Sequence, residues 1–346
     1  MIRQILAIGG MSMAIALAQT PAPKAAPAKP ATATGKYTPP KTPWGEPDLQ
    51  GIWPINHLIN VGLERNKKYG DRATLTEDEV AAAEKALHAR DERYQTGAIP
   101  QADAGGKVTK QTSLIVDPPN GRFPELTPLG KKLQADMKSS YRPGQTVFDS
   151  VEDFAAWDHC VTRGMPVSME PRNYNNGIRI MQSPGYVIIL LEMAHEARVI
   201  PTKAEPALDP NIKQWMGESR GHWEGNTLVV ETTNFNGLVG QTSAGVPGSP
   251  GPLQPETDKL HTVEHFTRTA ADTIDYKMTI SDPDVLATGS YTIAYPMYLD
   301  NKYEFFEYAC HEGNTAIRNY IETSRFEREH PDKVGKPAPR GGQRPQ

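Results

Sequence analysis

Thr273-Ile-Asp-Tyr-Lys-Met-Thr-Ile-Ser281 decides the class of fold. Ile274, Tyr276, Met278 and Ile280 alternate with Asp275, Lys277, Thr279 and Ser281. Successive side chains of a strand point to opposite faces, so one face here is apolar and the other wet. That is the pattern of a half-buried antiparallel strand. Residues 291–299 and 303–310 continue the series toward the C-terminus, and residues 227–234 precede it. Further upstream, residues 178–182 and 186–192 flank Ser183-Pro-Gly185 and read as a hairpin. Short strands separated by turn signals predict one antiparallel sheet system, either a closed, lipocalin-like β-barrel or a sandwich.

Helical signals gather in the first half. Thr76-Glu-Asp-Glu79 has capping-box spacing ahead of good helix formers at 80–93. Thr127-Pro128 opens a second helix with Leu129, Leu133 and Met137 on one face. A third short helix is expected over 152–162, and Asp209-Pro210 opens a turn ending near Gly217. The whole reads as α+β, β-rich, with several short helices mostly in the N-terminal half. Residues 237–255, rich in Gly and Pro, form a loop that is either disordered or covers a site.

The ends differ in character from this core. Arg3, the apolar run 5–17 and Ala16-Leu17-Ala18 have the anatomy of a secretory signal peptide spanning 1–18, which places the mature protein in the periplasm or outside the cell. Residues 19–43 read as a Pro/Ala-rich tether, 44–326 as a single β-rich domain and 327–346 as a disordered tail. No later apolar run approaches the roughly 20 residues of a spanning helix, so no membrane span is expected in the mature protein. A net charge of −4 gives no electrostatic reason to expect nucleic acid. Cys160 and Cys310 are the only cysteines, and in an oxidising compartment such a pair reads as one structural disulfide. That bridge would carry His159 and His311 into one neighbourhood.

Several segments together carry a resemblance: Thr42-Pro-Trp-Gly-Glu-Pro-Asp-Leu-Gln-Gly-Ile-Trp53, Thr112-Ser-Leu-Ile-Val-Asp-Pro-Pro119 and Tyr174-Asn-Asn-Gly177. Gln182-Ser-Pro-Gly-Tyr-Val187, Trp223-Glu-Gly-Asn-Thr-Leu-Val-Val230 and Cys310-His-Glu-Gly-Asn314 complete it. The chain resembles a group of secreted proteins of unassigned function from acidobacteria and proteobacteria, through nearly all of residues 42–326. The resemblance implies secretion and a single β-rich domain, and it brings no catalytic residues with it. His222, His261 and His265 depart from the family's pattern, which has Arg or other residues there.

Four stretches carry candidate chemistry. In Glu192-Met-Ala-His-Glu-Ala-Arg198, His195 offers a titratable base, Glu192 and Glu196 groups to orient it or act as second acid–base partner, and Arg198 an anion clamp. A regular strand would separate His195 from the other three, whereas a turn at 193–196 would let all four converge. The plainer alternative is a Glu–Arg pair and a packed histidine. Cys310-His-Glu-Gly-Asn314 puts His311, Glu312 and Asn314 at a strand end beside a flexible glycine, as at the mouth of a barrel. Tyr174, Asn175 and Asn176 offer donors and acceptors for a hydroxyl-rich or carboxylate ligand, although Asn-Gly is equally a turn signal. Trp223 suits a sugar or aromatic ring, or simply packs beside a hairpin turn.

His261 and His265 have helical metal spacing but lie in a strand pattern, about 13 Å apart by strand rise. A composite of His159, His195 and His311 is the remaining metal arrangement, and the reading adopted has no metal and no cofactor. G-x-S-x-G, Walker, Rossmann and H-E-x-x-H patterns are all missing. The sequence therefore predicts a metal-independent acid–base enzyme of lyase or hydrolase type. Its partner would be a small polar, aromatic or sugar-derived substrate in a barrel pocket. The alternative is a non-catalytic small-ligand-binding barrel protein of the periplasm.

Overall fold

The period-two segments pair as antiparallel ladders, and side chains at alternate positions make their core. The computed structural model describes residues 37–95, 108–142, 144–172, 174–239, 241–242 and 253–334. Among these the strands are β1 (Gly51–Ile52), β2 (Ile115–Asp117), β3 (Ile178–Ser183), β4 (Tyr186–Leu191), β5 (Ala197–Pro201) and β6 (Glu218–Glu224). They continue with β7 (Thr227–Thr233), β8 (Gln241–Thr242), β9 (Leu253–Gln254), β10 (His261–Ala270), β11 (Thr273–Ser281) and β12 (Ser290–Tyr298). The helices are α1 (Glu77–Gln95), α2 (Pro128–Asp136) and α3 (Ala316–Glu329).

Two main sheets result, of order β1-β3-β4-β5 and β2-β12-β11-β10-β7-β6, beside a β8-β9 pair. Neither main sheet closes into a barrel. On β11 the buried set is Ile274, Tyr276, Met278 and Ile280, as the alternation requires. One apolar cluster joins Ile178, Ile180 and Ile189 of the smaller sheet to Phe266, Met278 and Ile293 of the larger, with Trp53 fully buried among them. The Trp53 indole donates to the Leu49 carbonyl at 2.9 Å, and Gln182 on β3 holds the backbone at Pro47 and Leu49.

β5 and β6, the edges of the two sheets, lie side by side without backbone pairing. Gly221 on β6 permits the approach: a Cβ there would stand 3.0 Å from Ile200 Cγ2 on β5. Side chains bind this seam. Arg198 on β5 donates to both carboxylate oxygens of Glu264 on β10 and to Ser219 Oγ and Thr232 Oγ1 on β6 and β7, at 3.1 and 3.3 Å. Tyr276 completes the network through its hydroxyl, 2.8 Å from Glu264.

The helix starts follow the sequence signals. Glu79 accepts from the Thr76 backbone at 2.8 Å while the Thr76 hydroxyl accepts from Glu79 N–H, the reciprocal pair of a capping box. Thr127 caps α2 by accepting from Gly130 N–H at 2.9 Å. Four expectations are corrected. Residues 37–43 belong to the body and not to a tether: Pro39 and Thr42 are buried, and Asp48 N–H bonds the Pro40 carbonyl. Over 152–162 the chain keeps only a single 3-10 turn, Val151–Asp153, followed by turns, rather than one helix. Asp153, accepting from the Asp149 and Ser150 amides, caps that one turn, and Asp158 binds the Ala155 amide and the Ser139 and Ser140 hydroxyls, which ties the residues after it to another segment. Residues 303–309 form no strand and join no sheet. Residues 327–329 lie in a helix rather than a tail, because α3 runs to Glu329, its Tyr320 ring packing 5.0 Å from Phe148. The expected signal peptide, most of the expected tether, most of the stretch 237–255 and residues 335–346 lie outside the described residues.

Candidate functional site

Three chain segments meet at the end of the smaller sheet: the stretch 157–177, the β4–β5 connection and residues 303–310. Glu192, one residue past β4, is fully buried and anchors them. Its carboxylate accepts four hydrogen bonds: from Asn175 Nδ2 at 3.1 Å, Gly177 N–H at 2.8 Å, the Tyr303 hydroxyl at 2.7 Å and Phe306 N–H at 2.9 Å. Those four donors occupy the acceptor capacity of a carboxylate. Burial, followed by the Glu192 carboxylate, pushes the Tyr303 phenol well above its ordinary value. Gly177 is required by the close approach, since a Cβ there would meet Glu192 Oε2 at 2.7 Å.

The connection after Glu192 is a tight turn over Met193–His195, closed by Leu191 N–H to the Glu196 carbonyl at 2.8 Å. Ala194 and His195 have φ of 64° and 58°, and Cys160 and Asn175 on the facing segment have 58° and 52°. Among the described residues only Asn234 is a further non-glycine with positive φ. Left-handed backbone at non-glycine residues costs on the order of 1–3 kcal/mol each and gathers at functional sites.

The turn leaves His195 exposed, with Nδ1 3.5 Å from Tyr308 N–H, and Glu196 half-buried. Burial raises the Glu196 carboxyl above the usual glutamate value, against hydrogen bonds from the Thr162 hydroxyl and Arg163 N–H. Its Oε2 has no hydrogen-bond partner among the described residues. The Arg163 guanidinium lies 3.9 Å above the Trp157 ring. Burial lowers the Arg163 pKa, against the nearby phenols of Tyr141, Tyr308 and Tyr174. Tyr308 packs 5.8 Å from Trp157 and stacks on Tyr174 at 6.4 Å, forming an aromatic wall. Against Glu192 is a cavity of about 10 Å³, the size of one water. It is lined by Arg163, Ser168, Glu170, Arg172, Asn175 and Glu192 among others. Arg172 is pushed down to about 9 by burial and then by the Arg163 charge, with Glu170 opposing.

The sequence candidates divide accordingly. Tyr174, Asn175, Glu192, His195 and Glu196 come together. Asn176 is buried in local bonds to Asn56 and the Arg172 backbone. Arg198 leaves the group, because the strand resumes at Ala197 and points its side chain into the seam network. Cys160 and Cys310 are bridged, with Cα atoms 5.6 Å apart. His311, Glu312 and Asn314 follow on an exposed turn, not a strand end, where Asn314 Nδ2 lies 3.2 Å from Cys160 Sγ. His159 turns to the Val151 carbonyl at 3.1 Å. Trp223 packs on the core beside the β6–β7 hairpin, whose turn uses Gly225 at φ 60°. Among the described residues no three His, Cys, Asp or Glu side chains are placed to share a metal ion.

Sequence reasoning missed Trp157, Arg163 and Tyr308. The signal was the cysteine pair itself. It brings its neighbours together, and the flanking residues that meet are Arg163 and Tyr308 rather than the two adjacent histidines. Comparison with protein-family models, curated proteins and solved structures finds no match for this chain.

Proposed function

We propose that this is a secreted or periplasmic protein, of the family its motifs resemble, with an acid–base site at the β4–β5 turn. The substrate class is a small anionic molecule bearing an aromatic or sugar ring. The observation that carries the reading is the gathering of four left-handed non-glycine residues, Cys160, Asn175, Ala194 and His195, on segments held together by the Glu192 carboxylate and the disulfide. Such backbone persists only where the surroundings impose it.

In this reading Glu196 serves as general acid, because its desolvated carboxyl keeps a proton to higher pH than an exposed one. His195, solvent-facing on the strained turn, moves the second proton. Arg163 receives the substrate's anionic group, and Tyr174 and Tyr308 stack on its ring. Glu192 is a positioning residue. Arg198 is withdrawn from the site, and the disulfide and the lack of any long apolar helix among the described residues are compatible with the envelope location.

The test is a screen of aryl carboxylates, phenolic acids and uronic-acid glycosides for binding and turnover. Glu196→Gln and His195→Ala serve as comparison proteins. A substrate of the site loses about 10²- to 10⁴-fold in turnover with either variant while the protein stays folded. Turnover that survives both variants overturns the assignment. Binding without turnover in the wild type would support a carrier instead.

A further inference from the structure

A second, much larger opening shares no lining residue with the pocket behind Glu192. It is a cleft of about 1050 Å³ between α1 on one side and residues 57–69 and 108–112 on the other. Volumes of this order accommodate drug-sized ligands. Val61, Leu75, Ala83 and Leu87 supply apolar wall, the last two from one face of α1. Its charged lining is one-sided: Arg65, Lys67, Lys68 and Arg122 against the single carboxylate of Glu64. That carboxylate already accepts from Phe123 N–H at 2.9 Å.

Arg65 is the informative member. It is 2 % exposed, yet its guanidinium is met by the Thr112 hydroxyl at 3.0 Å and by the carbonyls of Asp71 and Pro119 at 3.1 and 3.0 Å, and by no carboxylate among the described residues. Buried charges are ordinarily paired with an opposite charge. Lys67 and Lys68 are exposed, and no described carboxylate forms an ion pair with either or with Arg122. A cleft with an apolar wall and unbalanced cations complements one kind of occupant.

We propose that this cleft binds an amphipathic organic anion, with a carboxylate or sulfonate toward Arg65, Lys67, Lys68 and Arg122 and an apolar body against Val61, Leu75 and Leu87. The site is independent of the acid–base reading above and stands if that reading fails.

The probe pair is 1-anilinonaphthalene-8-sulfonate and its uncharged analogue N-phenyl-1-naphthylamine, titrated by fluorescence into the whole protein, with dodecanoate as competitor. The expected result is saturable binding of both, displacement by dodecanoate, and tighter binding of the sulfonate. The exposed pair Lys67→Glu/Lys68→Glu weakens the sulfonate by about tenfold and leaves the neutral probe unchanged. Ala83→Trp, which fills the cleft from α1, weakens both. Sulfonate binding indifferent to the charge reversal, or no saturable binding of either probe, overturns the proposal.

Discussion

A carboxylate that accepts four hydrogen bonds behaves as a fastener. Glu192→Gln keeps the shape but sets an NH2 group against a donor, so it should cost about 2–4 kcal/mol in urea unfolding. A loss below about 1 kcal/mol would mean the four donors find other partners. Glu196 makes a pH prediction of opposite character. Its folded-state pKa lies above the ordinary 4.5 because burial disfavours the charged form. The stability it contributes is therefore full below about 4.5 and is lost as pH climbs through the raised value. Glu196→Gln should gain on the wild type as pH rises from about 4.5 through the raised value, and a pH-independent difference between the two would refute the raised carboxyl. His195 and Glu196 were legible as candidates because charged residues at adjacent positions stand out. Arg198 misled: alternation places it on the same face as Glu192 only if the turn at Met193–His195 is ignored, and its partner Glu264 lies 66 positions away in the chain.

Strands with one buried face were readable wherever period two was unbroken, as on β11 and β12. Residues 303–309 share the alternation without joining a ladder, because their backbone and phenol are spent on Glu192 rather than on a neighbouring strand. α3 escaped notice because its inward stripe is narrow, Ile317, Ile321 and Ser324 with Tyr320 beside them. The seam between β5 and β6 was invisible to periodicity, since it depends on a missing Cβ and one buried ion pair. Gly221→Val should force β5 and β6 apart and cost about 1–3 kcal/mol, read as a lower urea midpoint with unchanged slope. Arg198→Met leaves Glu264 buried without its cation and should cost about 3–5 kcal/mol. Adding Glu264→Leu should restore most of that loss in a double-mutant cycle, and a strictly additive cycle would show the pair is not coupled.

At the scale of the molecule, the two sheets share one apolar cluster while a single covalent bridge ties residue 160 to residue 310. Closing a loop of 150 residues contributes roughly 5 kcal/mol on the chain-entropy account. Replacing both cysteines by alanine should lower the thermal midpoint and release the 303–310 segment from the aromatic wall. An unchanged midpoint would assign that segment's order to Glu192 alone. β3 to β12 all lie inside this loop, so everything from the hairpin to the last strand is enclosed by one covalent ring. A protease that nicks the chain once anywhere between 161 and 309 therefore produces no separable fragments. The cut protein migrates as one species until a thiol is added, and the two new ends stay tethered within reach of each other. Wherever proteases reach this chain, a first cut need not be the end of its working life.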